Sequence, residues 1–368
     1  MTIVHKEMKT NLHKKMKTTL HKKLCGLFAG AAILVTAALP LSANAADEMT
    51  FASWGGAYQD GIREAWMKPF TQETGIKITE DTNPVIARIK AMVDTDSVEW
   101  DVVTAGGASL MQGAKSGLFE KITPEMVDQS NVLPEARNDY GVPSEIFSTV
   151  IGYSTKAFPN GGPKTFADFW DVKKFPGKRT LPDKPDTVLE AALLADGVAP
   201  ADIYKTLSTP AGMTRALNKI RQIKPYVAMW WSAGAQPVQA LGSGEVVMAL
   251  GWNGRFQAGI DGGLPIAMSW DQSVAQVGYF MIVKGAPNKA QAVKFLNYIV
   301  RPEVQARFSK YVAYGPVTPK SIPLIDKSLQ GRLPSTPERL SHAVFMDINW
   351  WAAHSLAAGE AYNTAMQQ

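Results

Sequence analysis

Cysteine is nearly missing from this chain of 368 residues; the one present is Cys25. Residues 46–368 therefore have no disulfide, thiol nucleophile or cysteine-based metal site. Histidine is almost as scarce: of five, three fall in the first 45 residues, leaving His342 and His354. Twelve residues apart, these have no third partner at metal-ligand spacing. No Gly-x-Ser-x-Gly elbow is found, and Ser243 in Leu-Gly-Ser-Gly-Glu lacks its flanking pattern. The acidic residues are scattered, with no discernible catalytic carboxylate pair. A secreted hydrolase or transferase thus has no visible chemistry, and no cofactor or metal is expected. An excess of charge is also missing once the N-terminal stretch is set aside. The whole chain has 38 basic and 33 acidic residues, but residues 1–45 hold seven lysines and one acid. The remainder carries 31 and 32, a net charge of −1. The basic pI therefore gives no reason to expect a nucleic acid or anionic lipid as partner.

The one long apolar run, Leu24–Leu39, follows a lysine-rich stretch and ends at Pro40-Leu41-Ser42-Ala43-Asn44-Ala45. This is the n-region, h-region and small-residue cleavage site of a secretory signal peptide, with cleavage expected after Ala45 and a periplasmic location for the rest. About 20 residues are needed to span a bilayer, and this run is shorter. A lipoprotein anchor at Cys25 would need an apolar run before it, where Lys22-Lys23 stand instead. The n-region repeats itself, MKTNLHKK at 8–15 and MKTTLHKK at 16–23, as a duplication or a start placed upstream of Met16 would produce.

What is present alternates strand and helix. Strands are expected at Met49–Ser53, Ile76–Thr79, Trp100–Thr104, Thr149–Tyr153, Val246–Leu250 and Tyr279–Val283. Helices are expected at Tyr58–Thr71, Pro84–Val93, Ala108–Ser116, Thr187–Ala195, Pro210–Ile223 and Lys289–Val300, with a last one around Trp350-Trp351. This order predicts an α/β architecture with parallel strands. A composition shift near 148–153, amid Pro143, Pro159 and Gly161-Gly162-Pro163, suggests that the chain enters a second lobe there.

Two glycine pairs, Gly55-Gly56 after Trp54 and Gly106-Gly107 after Ala105, are expected as loops between a strand end and a helix start. Backbone N–H groups can approach an anionic ligand there. Equally, they could be tight turns alone. Arg255 in Trp252-Asn253-Gly254-Arg255 offers a planar fork for a carboxylate, or an ordinary ion pair. Trp54, Tyr58, Trp230, Trp231, Trp252 and Tyr314 are candidates to wall a ligand slot, or simple core aromatics.

Four segments together resemble a known family. TFASWGGAYQDGIREAWMKPFTQETGIKI, EWDVVTAGGASLMQGAKSGLFEKI, GWNGRFQAG and NKAQAVKFLNYIVRPEVQARFSKYVAYGPV are similar to periplasmic solute-binding proteins of ABC importers, in the spermidine/putrescine-binding branch. The resemblance implies a two-lobed type II binding-protein fold with a ligand cleft between α/β lobes. Lobe 1 would comprise 46–150 and about 268–312, and lobe 2 151–267 and about 313–368. It also implies a small-molecule solute, an inner-membrane ABC permease as partner, and a monomer. A sensor presenting ligand to a receptor would use the same fold.

The departures from that branch bear on the ligand. Arg255 stands where the resemblance implies an acid, Gly278 where it implies a second, and Thr187 where it implies a glutamate. An unpartnered buried ammonium costs several kcal/mol. The expected ligand is therefore a small carboxylate-bearing solute such as γ-aminobutyrate, held by Arg255 and the Gly106-Gly107 amides. Asp271 and the aromatics are expected to meet any amine. A polyamine is the alternative.

Overall fold

The computed structural model describes residues 47–367, so the expected leader lies outside the described residues. Nine strands form one mixed sheet: β1 (Glu48–Ser53), β2 (Lys77–Thr82), β3 (Val102–Gly106), β4 (Val142–Ser154), β5 (Arg179–Pro182), β6 (Val227–Trp231), β7 (Met248–Trp252), β8 (Ile266–Ile282) and β9 (Ala343–Phe345). Their order is β2-β1-β3-β8-β4-β7-β5-β6, with β9 beside β8. The outer strands pair in parallel, as βα units require. The parallel pairing expected of the first strands holds for β1, β2 and β3, and the sheet becomes antiparallel at its centre, where β8 runs against both β3 and β4.

The helices used below are α1 (Gly56–Ile62), α2 (Gly107–Lys115), α3 (Val188–Ala195), α4 (Pro210–Ile223), α5 (Asn253–Asp261), α6 (Lys289–Ile299), α7 (Pro302–Phe308) and α8 (Ile348–Gln367). α4 follows the expected bounds for local reasons: Pro210 sits at its first position, and the Thr209 hydroxyl caps it by accepting from Gly212 N. Its Ala216, Leu217, Ile220 and Ile223 form the buried stripe.

β4 and β8 are far longer than expected. Thr149–Tyr153 proves to be the latter part of a 13-residue strand, and Tyr279–Val283 overlaps the end of one with 17 residues. Both run from one hydrophobic core to another. The first core gathers Phe51, Trp66, Val102, Ile146 and Ala275–Val283, with Phe280 and Phe295 stacked in it. The second holds Ile151, Leu181, Val188–Ala195, Val274, Val344 and the α8 residues Trp350, Trp351 and Tyr362. A smaller third cluster gathers Val150 of β4, Ala249 of β7, Phe256 of α5 and Leu241 of the helix Gln236–Ser243. The strands thus change cores between Ile146 and Val150, and between Val274 and Ala275. Beside that point lies β9, in register with Ser273–Ala275.

Candidate functional site

A row of aromatic rings runs from the end of β7 into the first core. Trp252 ends β7 and meets Trp231 edge-on at 5.5 Å between centroids. Phe147, on β4, packs against Trp252 at 6.0 Å and against Tyr314 at 5.5 Å. Tyr314 meets Tyr58 of α1 at 6.2 Å. Trp231 anchors the row by donating its indole N–H to Leu250 O at 2.9 Å. α5 begins directly after Trp252, so Asn253-Gly254-Arg255 is a helix start rather than the expected loop. A Cβ on Gly254 would overlap the Tyr314 ring, so this close approach needs glycine.

Arg255 lies in the first turn of α5, half-buried, and makes no hydrogen bond or ion pair among the described residues. It lines a cavity of about 310 Å³ with Tyr58, Gly254, Tyr311 and Tyr314; Lys310 and the 3.0 Å Arg332–Asp261 pair supply the other charges. Burial pushes the Tyr314 phenol well up, while Arg255 pulls it down and Glu145 raises it. Tyr314 therefore lies within electrostatic reach of both a cation and an acid.

That acid, Glu145 on β4, was not singled out from the sequence. It is 2% exposed. The Tyr58 hydroxyl donates to Oε1 at 2.7 Å and lies 3.3 Å from the Thr104 hydroxyl. No partner reaches Oε2. Burial pushes the Glu145 carboxyl up to about 7, against the pull of the Ser144 and Tyr58 hydroxyls. Across the ladder Glu145 faces Gly278, and Gly278 in turn faces Gly106. A side chain on Gly278 would start where the Glu145 carboxyl lies. The sequence signal was an acid, Glu145, in a stretch otherwise fit for a buried strand, and a glycine within Val277-Gly278-Tyr279-Phe280. Only the sheet register pairs them.

Tyr58, Trp231, Trp252, Arg255 and Tyr314 are thus brought together. Gly55 and Gly56 have positive φ, 68° and 58°, beside an exposed Trp54, and Gly55 N donates to Gln59 Oε1. The expected Ala105-Gly106-Gly107 loop is absent: Gly106 ends β3 and Gly107 opens α2 directly. Ile348 of α8 packs tightly on Gly107, while the side of Gly106 where a Cβ would stand is open. Trp230 packs against Tyr362 instead of joining the row. Thr187 is buried at the start of α3 with φ 69° and no side-chain cap. Asp271 is exposed on β8 without an ion pair among the described residues.

A family model described as "Bacterial extracellular solute-binding protein" matches residues 65–331. A γ-aminobutyric acid-binding protein of Pseudomonas aeruginosa is 38% identical over 317 residues, covering 86% of this chain and 90% of that one. The spermidine/putrescine-binding periplasmic protein of Escherichia coli is 26% identical over 294 residues, covering 75% and 80%. An ABC transporter substrate-binding protein from Bradyrhizobium japonicum superposes with a TM-score of 0.82 at 38% identity, covering 87% of this chain and all of that one. The mixed sheet with two cores, the cavity between α1 and α5, and these matches lead to one conclusion: the chain belongs to the bacterial extracellular solute-binding protein family, with the two-lobed fold of the substrate-binding components of ABC importers.

Proposed function

We propose that this protein captures a small carboxylate-bearing solute of the ω-amino acid type, γ-aminobutyrate being the leading candidate, and hands it to its membrane permease. Arg255 carries this reading. A half-buried guanidinium with no ion partner, walled by aromatic rings, is a ready fork for a carboxylate. The 38% identical γ-aminobutyric acid-binding relative supports it. The resident ligand set in this reading is Arg255, Tyr58, Trp252 and Tyr314, with Trp231 behind Trp252. The open side of Gly106 suits a ligand edge, and Trp54, Gly55 and Gly56 form the neighbouring rim. Gly107, Thr187 and Asp271 have weaker claims, since Ile348 covers the first and nothing draws the other two to the cavity.

The polyamine reading rests on a different observation, the buried acid Glu145, and on the 26% identical polyamine-binding relative. A diamine would then face Arg255, and like charges repel. Secretion by an N-terminal signal peptide, a monomeric state and the absence of catalysis complete the proposal. The lobes would divide in the middle of β4 and β8. Tyr314 and Val317 packing in the first core favours a third crossing at β9, later than residue 312.

Calorimetric titration of the purified protein, stripped of bound solute by unfolding and refolding, tests the ligand class. γ-Aminobutyrate and 5-aminovalerate are expected to bind, and Arg255→Ala to abolish that binding. Tight putrescine or spermidine binding with no response to any carboxylate would overturn the proposal in favour of a polyamine.

A further inference from the structure

We infer that Glu145, carried on β4 above the bare backbone of Gly278, is the cation-binding arm of the ligand site and receives the ammonium group of a zwitterionic solute whose carboxylate Arg255 holds. This rests on the proposed role of Arg255 and completes it. Three observations converge. The carboxyl is buried, yet only Oε1 has a partner, while Oε2 has none. A buried carboxylate with an idle oxygen is costly unless a cation compensates it. The sheet row Gly106, Gly278, Glu145 carries two residues without side chains: the Glu145 carboxyl lies over Gly278, and the side of Gly106 beyond it is open. Finally, Tyr58 and Tyr314 line the cavity together with Arg255 and meet at 6.2 Å, and the Tyr58 hydroxyl donates to Glu145, so the acid stands directly behind that cavity wall.

The sequence resemblance implied an acid at Gly278 that is not there. The register shows its place filled from the neighbouring strand, by a residue 133 positions earlier in the chain. A solute with one positive and one negative end satisfies both arms. A diamine would leave Arg255 opposed, and a dicarboxylate would oppose Glu145. The groups acting on Glu145 are the neighbouring Ser144 hydroxyl, Tyr58 from α1 (which also reaches Thr104 of β3), Gly278 from β8 and, through its field, Tyr314. With its carboxyl near 7, Glu145 is partly protonated when the site is empty at neutral pH. An arriving ammonium would ionise it, so binding releases a proton and affinity rises with pH up to and through about 7.

The test is titration calorimetry on the full chain, using γ-aminobutyrate and its amine-free counterpart butyrate, in two buffers of different ionisation enthalpy at pH 7. The wild type is expected to release about half a proton per γ-aminobutyrate. Glu145→Gln should abolish that release and weaken γ-aminobutyrate on the order of 10- to 100-fold, as loss of one charge-assisted contact does. Butyrate affinity should stay within twofold. Moving the acid across the ladder, in Glu145→Ala with Gly278→Asp, should restore much of the lost affinity and guards against a folding defect in the glutamine variant. No proton release by the wild type, unchanged γ-aminobutyrate affinity in Glu145→Gln, or an equal loss for butyrate would each overturn the inference. If Arg255→Ala still abolishes binding in those cases, the carboxylate reading survives alone. Failure of γ-aminobutyrate to bind the wild type overturns both.

Discussion

Asn253 is fully buried and commits both ends of its amide to backbone far away in sequence. Its Oδ1 accepts from Ser148 N at 2.9 Å, and its Nδ2 donates to Ala313 O at 2.6 Å. One side chain thus ties α5, the middle of β4 and the segment before Tyr314 together; the first and last carry Arg255 and Tyr314 into the cavity wall, and β4 carries Phe147, which packs on Tyr314. Asn253→Ala would strand a buried N–H and a buried carbonyl, and is expected to cost about 2–4 kcal/mol in urea unfolding. Asn253→Asp should cost at least as much above the carboxylate range, because a carboxylate cannot donate to Ala313 O. Gly278→Ala introduces a methyl into the space of the Glu145 carboxyl. It should destabilise by about 1–3 kcal/mol, as overpacking does, and weaken solute binding in the same titration. None of these roles was visible in the chain's one-dimensional order. Trp252, Gly254 and Arg255 stand out as a strand-end motif, whereas nothing in the sequence assigns Asn253 between them a role of its own.

At the scale of elements, α3 shows how a buried acid can belong to a core and not to a site. Its Glu190 is fully buried, and Oε1 accepts from the Tyr204 hydroxyl and from the Trp351 indole of α8, both at 2.8 Å, while Oε2, like that of Glu145, has no partner among the described residues. An idle oxygen alone does not mark a site, and what sets Glu145 apart is its bond to Tyr58, which lines the cavity. Burial pushes its carboxyl up to about 7. A carboxyl raised in the folded state binds its proton more tightly there than in the unfolded chain. Its stabilising effect is therefore complete below the ordinary value near 4.5 and is lost as pH rises through 7. Stability should fall between those limits by about 3 kcal/mol for this group, with Glu145 adding in the same direction. Denaturation midpoints from pH 4.5 to 8 should reveal the decline, and Glu190→Gln should remove about half of it, leaving the part due to Glu145. The long strands are the second lesson at this scale. β4 looked short because Ser144, Glu145, Ser148 and Thr149 interrupt its apolar pattern, yet all four are buried. Polar residues inside a central strand defeat a reading by hydrophobic periodicity, and here they sit where the strand leaves one core for the next.

In the whole molecule, two cores share β4 and β8, with β9 beside the point where β8 passes between them. Rotation about such strands needs few backbone changes, and a solute bridging Arg255 and Glu145 would favour the closed arrangement by its differential affinity. Small-angle scattering should show a smaller radius of gyration on saturation with γ-aminobutyrate, and no change in the Arg255→Ala variant. An unchanged radius in the saturated wild type would argue against closure.

Local pattern alone was enough for the class of the protein. Strand–helix alternation, the helix starting at Pro210, the Trp252–Arg255 motif and four family-like segments depend on neighbours in the chain, and so survive without coordinates. The same order also singled out Arg255 as a charge out of place. Tertiary structure decided what balances that charge. Glu145 and Gly278 become partners only through antiparallel register, and the aromatic row joins residues from Tyr58 to Tyr314. Pairing across a sheet is set by which strands lie side by side and by burial on both faces, and neither is written in the spacing of residues along one strand.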